Sequence, residues 1–251
     1  MSGTRIFRPT DIPRPDAVRL GGALTGFAVF DLFAPHGPGV ATWLQVVVLA
    51  AVSLPLATAV VRELLPLRPL GGQLLVGAVV AIVATAFLIA IGLEETPATL
   101  TKLVAATFIG YALASLLQTT AEVVAIALLI AAVDIYSVAA GPTKVIVEQH
   151  EQVLNAFTLA FHPIGSDGVA QIGSSDFVFF ALFLAAAARL HLRIALTWSA
   201  MTLSFGLTLV LSYVFDAALP ALPLLSLGFL AANGDLLLAR FGGRAGSPER
   251  E

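Results

Sequence analysis

Apolar residues run through this chain in blocks roughly twenty long, cut apart by short polar stretches and by proline and glycine. Dividing at those breaks predicts eight helices: 17–34, 41–61, 73–93, 100–118, 120–140, 175–189, 194–216 and 220–239. Their lengths approach the roughly 20 residues that a helix needs to cross a bilayer. None shows the two-residue alternation of a membrane β-strand. The fourth and fifth are separated only by "QTTAE", which predicts a tight antiparallel helical hairpin.

One long polar connection, residues 141–174, lies between the fifth and sixth helices. It opens on Gly141-Pro142. Then Val145, Val147, Val153, Leu154, Phe157 and Phe161 alternate with Lys144, Glu148, His150 and Glu151, spacing that suits a helix lying partly on the membrane surface. The connection ends in the Gly/Ser/Asp-rich "HPIGSDGVAQIGSS". Four regions follow: a polar tail 1–16, N-terminal transmembrane helices 17–118, a transmembrane core 119–240 that carries the connection, and a polar tail 241–251. The N-terminal tail lacks the apolar run and cleavage site of a signal peptide, and no internal repeat is evident.

Composition agrees with an all-α polytopic membrane protein: 58% of residues are hydrophobic and only 12% charged, with a mean hydropathy of +0.94. With no cysteine, disulfides, iron–sulfur clusters and thiolate metal sites are excluded. A net charge of −3 without a basic tract gives nucleic acid no footing. Arginine outnumbers lysine 11 to 2, and with eight spans all eleven arginines fall on one side, Lys102 and Lys144 on the other. The positive-inside rule then predicts that both termini are cytoplasmic, in a multi-pass protein of a prokaryotic cell membrane.

The chemistry lies in buried acids. An ionised aspartate within a bilayer costs several kcal/mol and usually faces a bundle interior, where it serves a proton relay, an ion site or acid–base catalysis. Asp134 sits well inside the fifth apolar block, and Asp176 opens the sixth, where a simple helix N-cap is the plainer reading. Asp31, Glu122 and Asp216 lie near span ends and suit solvated or capping roles, and Asp235 is within snorkelling reach of Arg240. "HEQVL" at 150–154 has Leu154 where a zinc protease needs its second histidine. A membrane serine protease would need a histidine on a later helix, but after Ser174 and Ser175 the sequence has only His191, in a connection. His36, His150 and His162 read as loop residues.

Three segments together carry a resemblance. "VDIYSVAAGP" holds Asp134, "GSSDFVFFALF" holds Asp176, and "ALPALPLLS" opens the last helix with Pro220, Ala221 and Leu222. Over about residues 100–235 the chain resembles the presenilin and signal peptide peptidase family of GxGD-type intramembrane aspartyl proteases. That family carries a "YD" aspartate, a "GxGD" aspartate on the next helix and a "PAL" motif. Two positions depart from it: Val133 replaces the tyrosine, and Gly173-Ser174-Ser175-Asp176 has serine for the second glycine. The family usually has nine spans, and eight are predicted here. The predicted orientation is that of the signal peptide peptidase branch, whereas the motif wording is closer to presenilin.

The resemblance implies a presenilin-like bundle in which Asp134 and Asp176 activate water to cut peptide bonds inside transmembrane helices. Gly173, Ser174, Ser175, Pro220, Ala221 and Leu222 would shape the site. Gly168, Val169, Ala170, Gln171 and Ile172 would become extended and pair with the unwound substrate. Expected partners are transmembrane segments of substrate proteins and the bilayer, with no metal or cofactor. The alternatives are a weakened or inactive homologue that binds helices without cutting them, and an ion or proton carrier using the same aspartates.

Overall fold

The computed structural model of the protein describes residues 14–93, 95–140 and 157–242. Its helices follow the apolar blocks. α1 spans Ala17–Phe33, α2 Thr42–Val48 and α3 Leu54–Glu63, the last two joined by a π-helical turn at Leu49–Ser53 into one span. An irregular 3-10 stretch, Leu65–Gln73, leads into α4, Leu74–Ala90. It is broken at Gly71, whose φ of 53° a side chain would resist. Then come α5 (Thr96–Leu116), α6 (Thr120–Ala140), α7 (Ser174–Arg189), α8 (Ile194–Phe215) and α9 (Ala221–Gly242). Among the described residues seven helical segments are long and apolar enough to cross a membrane. With the shorter α7 they make up the eight predicted helices, and the protein is an all-α, multi-pass membrane protein.

Local chemistry explains the boundaries. Asp16 caps α1 by accepting from the Val18 and Arg19 amides. Thr119 and Glu122 form a reciprocal cap at the start of α6: the Glu122 carboxylate accepts from the Gln118 and Thr119 amides, and the Glu122 amide donates to Thr119 Oγ1. Asp216 ends α8 in the left-handed conformation, exposed. These two acids have the capping and solvated roles expected of them.

Helix α7 is the hub. It packs against α3, α5, α8 and α9, and every residue from Phe180 to Ala188 is buried. Its closest neighbour is α5, where Gly110 lies so near the α7 backbone that a Cβ there would stand 2.3 Å from the Val178 carbonyl oxygen and 2.7 Å from the Ala181 Cβ. Small residues permit such approach where no hydrophobic effect drives helices together. Farther along α7, Phe183 stacks on Phe229 of α9 at 4.9 Å.

Three expectations are corrected. From Thr158 onward the connection is not helical: Thr158–Phe161 forms β1 and Ala170–Gly173 forms β2, paired antiparallel with Leu159 opposite Ile172 and Ala160 opposite Gln171. Residues 141–156, most of the expected surface helix and its Gly141-Pro142 turn, lie outside the described residues, as do 1–13 and 243–251 of the two tails. The α5–α6 hairpin is not tight either. After the short link at Leu117–Thr119, α6 packs against α9 rather than α5. Finally, Asp235 pairs with Arg193 at 2.9 and 2.5 Å, while Arg240 donates to the Leu190 carbonyl. Arg193 is the cation that α8, packed beside α9, brings to Asp235.

The α5–α7 contact yields a prediction. Gly110→Ala should force the helices apart and lower stability by about 1–3 kcal/mol, the usual effect of overpacking. Gly22→Ala in α1, where a Cβ meets nothing within 4 Å, should leave the thermal midpoint in detergent unchanged or slightly raised. Equal midpoints for the two variants would contradict the close packing.

Candidate active site

The two aspartates sit on different helices, and a third helix reaches one of them. Asp134 lies in the C-terminal half of α6, and Asp176 in the first turn of α7. The start of α9 reaches Asp134: the Leu222 amide donates to Asp134 Oδ2 at 3.0 Å. First-turn amides have no partner within their own helix, and the positive end of a helix dipole favours an anion. Pro220 lies just before α9 and Pro223 within its first turn, and neither has an N–H to offer. Of the two residues between them, Ala221 and Leu222, it is Leu222 that makes the bond. Asp134 and Asp176 are also close enough to interact electrostatically. Asp134 is thus bonded to the start of α9 and within electrostatic range of the acid that follows Gly173, Ser174 and Ser175.

Asp176 is not the helix N-cap. That position belongs to Gly173, with Ser174, Ser175 and Asp176 following in the first turn. The carboxylate turns back toward the strand, with Oδ2 3.2 Å from where a Gly173 Cβ would stand. Gly173 has φ −58°, and Ser175 is not among the residues with positive φ. Serine therefore meets no backbone strain at 175, where its side chain is exposed. Val133, the other departure, is 57% exposed and points away from the core.

The β-hairpin is fixed next to Asp176 by α5. Thr99 Oγ1 donates to the Ala160 carbonyl at 3.1 Å and accepts from the Ala160 amide at 3.2 Å, and Lys102 Nζ donates to the Thr158 carbonyl at 3.0 Å. These contacts occupy the outer edge of β1, so an added strand would have to lie along β2. Ser174 Oγ closes the hairpin's other end on the Phe157 carbonyl. Behind the strands an aromatic file runs Phe27, Phe161, Phe177, Phe205, with ring centroids 5.6, 6.1 and 5.2 Å apart. It joins α1, β1, α7 and α8 one residue away from Asp176. Of the segment expected to extend, Ala170, Gln171 and Ile172 are in β2. Gly168 and Val169 precede it and border a cleft of about 210 Å³ against Thr42, Gln45 and Val46.

A second polar cluster anchors the hairpin, and sequence reasoning missed it. Asp31 and His162 are 1% and 5% exposed, not solvated loop-like residues. Asp31 Oδ1 accepts from the His162 amide and Oδ2 stands 3.0 Å from His162 Nδ1, while Thr96 Oγ1 donates to Oδ2 at 2.6 Å. The cluster therefore ties α1, the start of α5 and the end of β1 together. The hydrogen bond from Asp31 raises the pKa of His162, against the opposing effect of burial, and Glu95 adds to the rise from 3.8 Å. The loop beyond is held too: the Gly165 amide donates to the Ala34 carbonyl at 2.8 Å. Gly165 has φ 65°, and a Cβ there would stand 2.2 Å from the Pro38 carbonyl oxygen. His36 is exposed after α1, as a loop residue, and His150 lies outside the described residues.

No family model matches the chain. Over 101 residues it is 35% identical to Presenilin-B of Dictyostelium discoideum, an alignment covering 38% of this chain and 21% of that protein. The chain thus spans about a fifth of the length of this curated relative.

The Asp31–His162 pair makes stability depend on pH. A histidine whose folded pKa is raised stabilises fully below its unfolded value, ordinarily 6.5, and this contribution is lost as pH rises through the folded value. The thermal midpoint should therefore fall from pH 6.5 upward. Asp31→Asn should flatten that slope and cost about 1–3 kcal/mol below it. An unchanged slope in the variant would remove this pair as its source.

Proposed function

We infer that this presenilin-like chain is an intramembrane aspartyl endopeptidase that hydrolyses peptide bonds within transmembrane helices of other proteins. The observations that carry this reading are the Leu222 amide bound to Asp134 and the electrostatic interaction between Asp134 and Asp176, two acids on separate apolar helices. Two carboxylates coupled in a low-dielectric site share one proton. The ionised member takes a proton from water as the oxygen attacks the scissile carbonyl, and the protonated member donates to the developing oxyanion. The Leu222 amide holds Asp134 in place. Absence of strain at Ser175 supports an active enzyme over a silenced homologue.

A substrate helix must unwind before its carbonyls can be attacked. With the outer edge of β1 occupied by Thr99 and Lys102, the unwound segment would lie along β2, which leads directly into Asp176. The arginine distribution supports both termini being cytoplasmic.

Wild type, Asp134→Ala and Asp176→Ala, purified in detergent, should be incubated with a generic single-span substrate and the fragments mapped by mass spectrometry. Cutting inside the span by wild type, reduced to background in both variants, is the expected outcome. No cutting by wild type but cutting by Ser175→Gly would identify a silenced protease. If neither cuts, helix binding or ion carriage by the same acids takes its place. In an active enzyme, Val169→Pro should slow cleavage several-fold while the thermal midpoint holds. Unaltered cleavage would sink the strand-pairing step.

A further inference from the structure

At the end of α7 remote from the hairpin, a cavity of about 350 Å³ brings cationic side chains together from separate elements. Arg68 comes from the stretch before α4, Tyr111 and Ser115 from the last turns of α5, and Arg189 and His191 from the end of α7, over a floor of alanines. Arg189 is held in place: Nη1 donates to the Ala114 and Ser115 carbonyls at 3.3 and 2.7 Å, and Nη2 to Gln118 Oε1 at 3.0 Å. These are the carbonyls that α5 leaves open at its C-terminus. Among the described residues the one hydrogen bond of Arg68 is a long one, to the Leu65 carbonyl at 3.5 Å. His191 ends α7 with φ 50°, a left-handed conformation uncommon outside glycine.

Among the described residues neither guanidinium has a carboxylate within 4 Å. Glu122, the acid near Arg189, turns its carboxylate to the amides that start α6. The neighbouring arginines are engaged elsewhere: Arg62 lies 5.1 Å over the Trp198 ring, Arg193 pairs with Asp235, and Arg240 bonds the Leu190 carbonyl. Among the described residues Arg68 and Arg189 thus line one cavity with no carboxylate in contact with either, Glu122 acting on Arg189 only from a distance, and their remaining N–H donors suit phosphate oxygens. An anion between them would relieve their mutual repulsion. The cavity opens where α5 and α7 end, with Leu116, 70% exposed, in the last turn of α5. Headgroups occupy that depth in a bilayer, and basic pockets between helix ends there hold anionic lipids.

We propose that this cavity binds a phosphate group, and that its source is the headgroup of an anionic phospholipid. The site is independent of the aspartates and is read without cleavage. Delipidated full-length protein is mixed with equal phosphatidylglycerol and phosphatidylcholine, and retained lipid is counted by native mass spectrometry. Phosphatidylglycerol should be retained preferentially. Arg68→Gln should reduce that preference about tenfold, the loss of one charge-assisted contact. Arg68→Lys should keep part of it, and Arg62→Gln all of it. Arg189 is left intact because it closes α5. Glycerol 3-phosphate displacing the lipid at equal concentration would support the phosphate site but make a soluble ester its source. Equal retention of both lipids, or the same preference in Arg68→Gln, would overturn the proposal.

Discussion

The contact between Gly110 and the backbone of α7 is the constraint on which the rest of the bundle depends. A helix covered by protein on all sides can use short side chains, and from Ala185 to Ala188 this one does. Bulk ends at Leu184, and nearer Asp176 Phe177 joins the helix to β1 and α8, and through Phe161 to α1. Asp176 stands at the start of this spindle and the arginine-lined cavity at its finish. Displacing α7 by the width of one methyl group would disturb both, because packed cores transmit strain rather than absorb it.

Polar groups inside this molecule are satisfied largely by the loose ends of helices and strands. Asp134 takes an amide from the first turn of α9, Arg189 takes carbonyls from the last turn of α5, and Thr99 serves both groups of Ala160. In a medium without water, each such pairing resolves two costs at once, that of the side chain and that of the orphaned backbone group. The same economy explains why the Pro-Ala-Leu segment matters physically. Prolines on either side leave Leu222 the amide that meets the acid.

All eight helices were legible from hydropathy, because lipid imposes a length and a polarity that any sequence must display. So were the three segments that converge, since Asp134 and Asp176 stand out against apolar surroundings and Pro220 against a helix start. The hairpin was not. Each strand has four residues, too few to display a period, and its partner is supplied by a segment that reads as loop. Phe157 and Phe161 sit four apart and mimic a helix face. The Asp31–His162 bond was equally hidden, joining residues 131 apart that each look ordinary alone. The separation of α6 from α5 was concealed because a short link fixes proximity at one end only.

The sixteen residues of α7 rise about 24 Å, some 6 Å less than the hydrocarbon thickness of a typical bilayer. If Arg189 reaches one interface, the other end of the helix stops short of the opposite one. The hairpin and Asp176 are then sunk below the membrane surface, at a depth where lipid cannot cover irregular backbone. The bilayer must thin locally or give way to a wetted recess. The shortness of a single buried helix would thus bring water to the level of Asp176, with no pore needed through the protein.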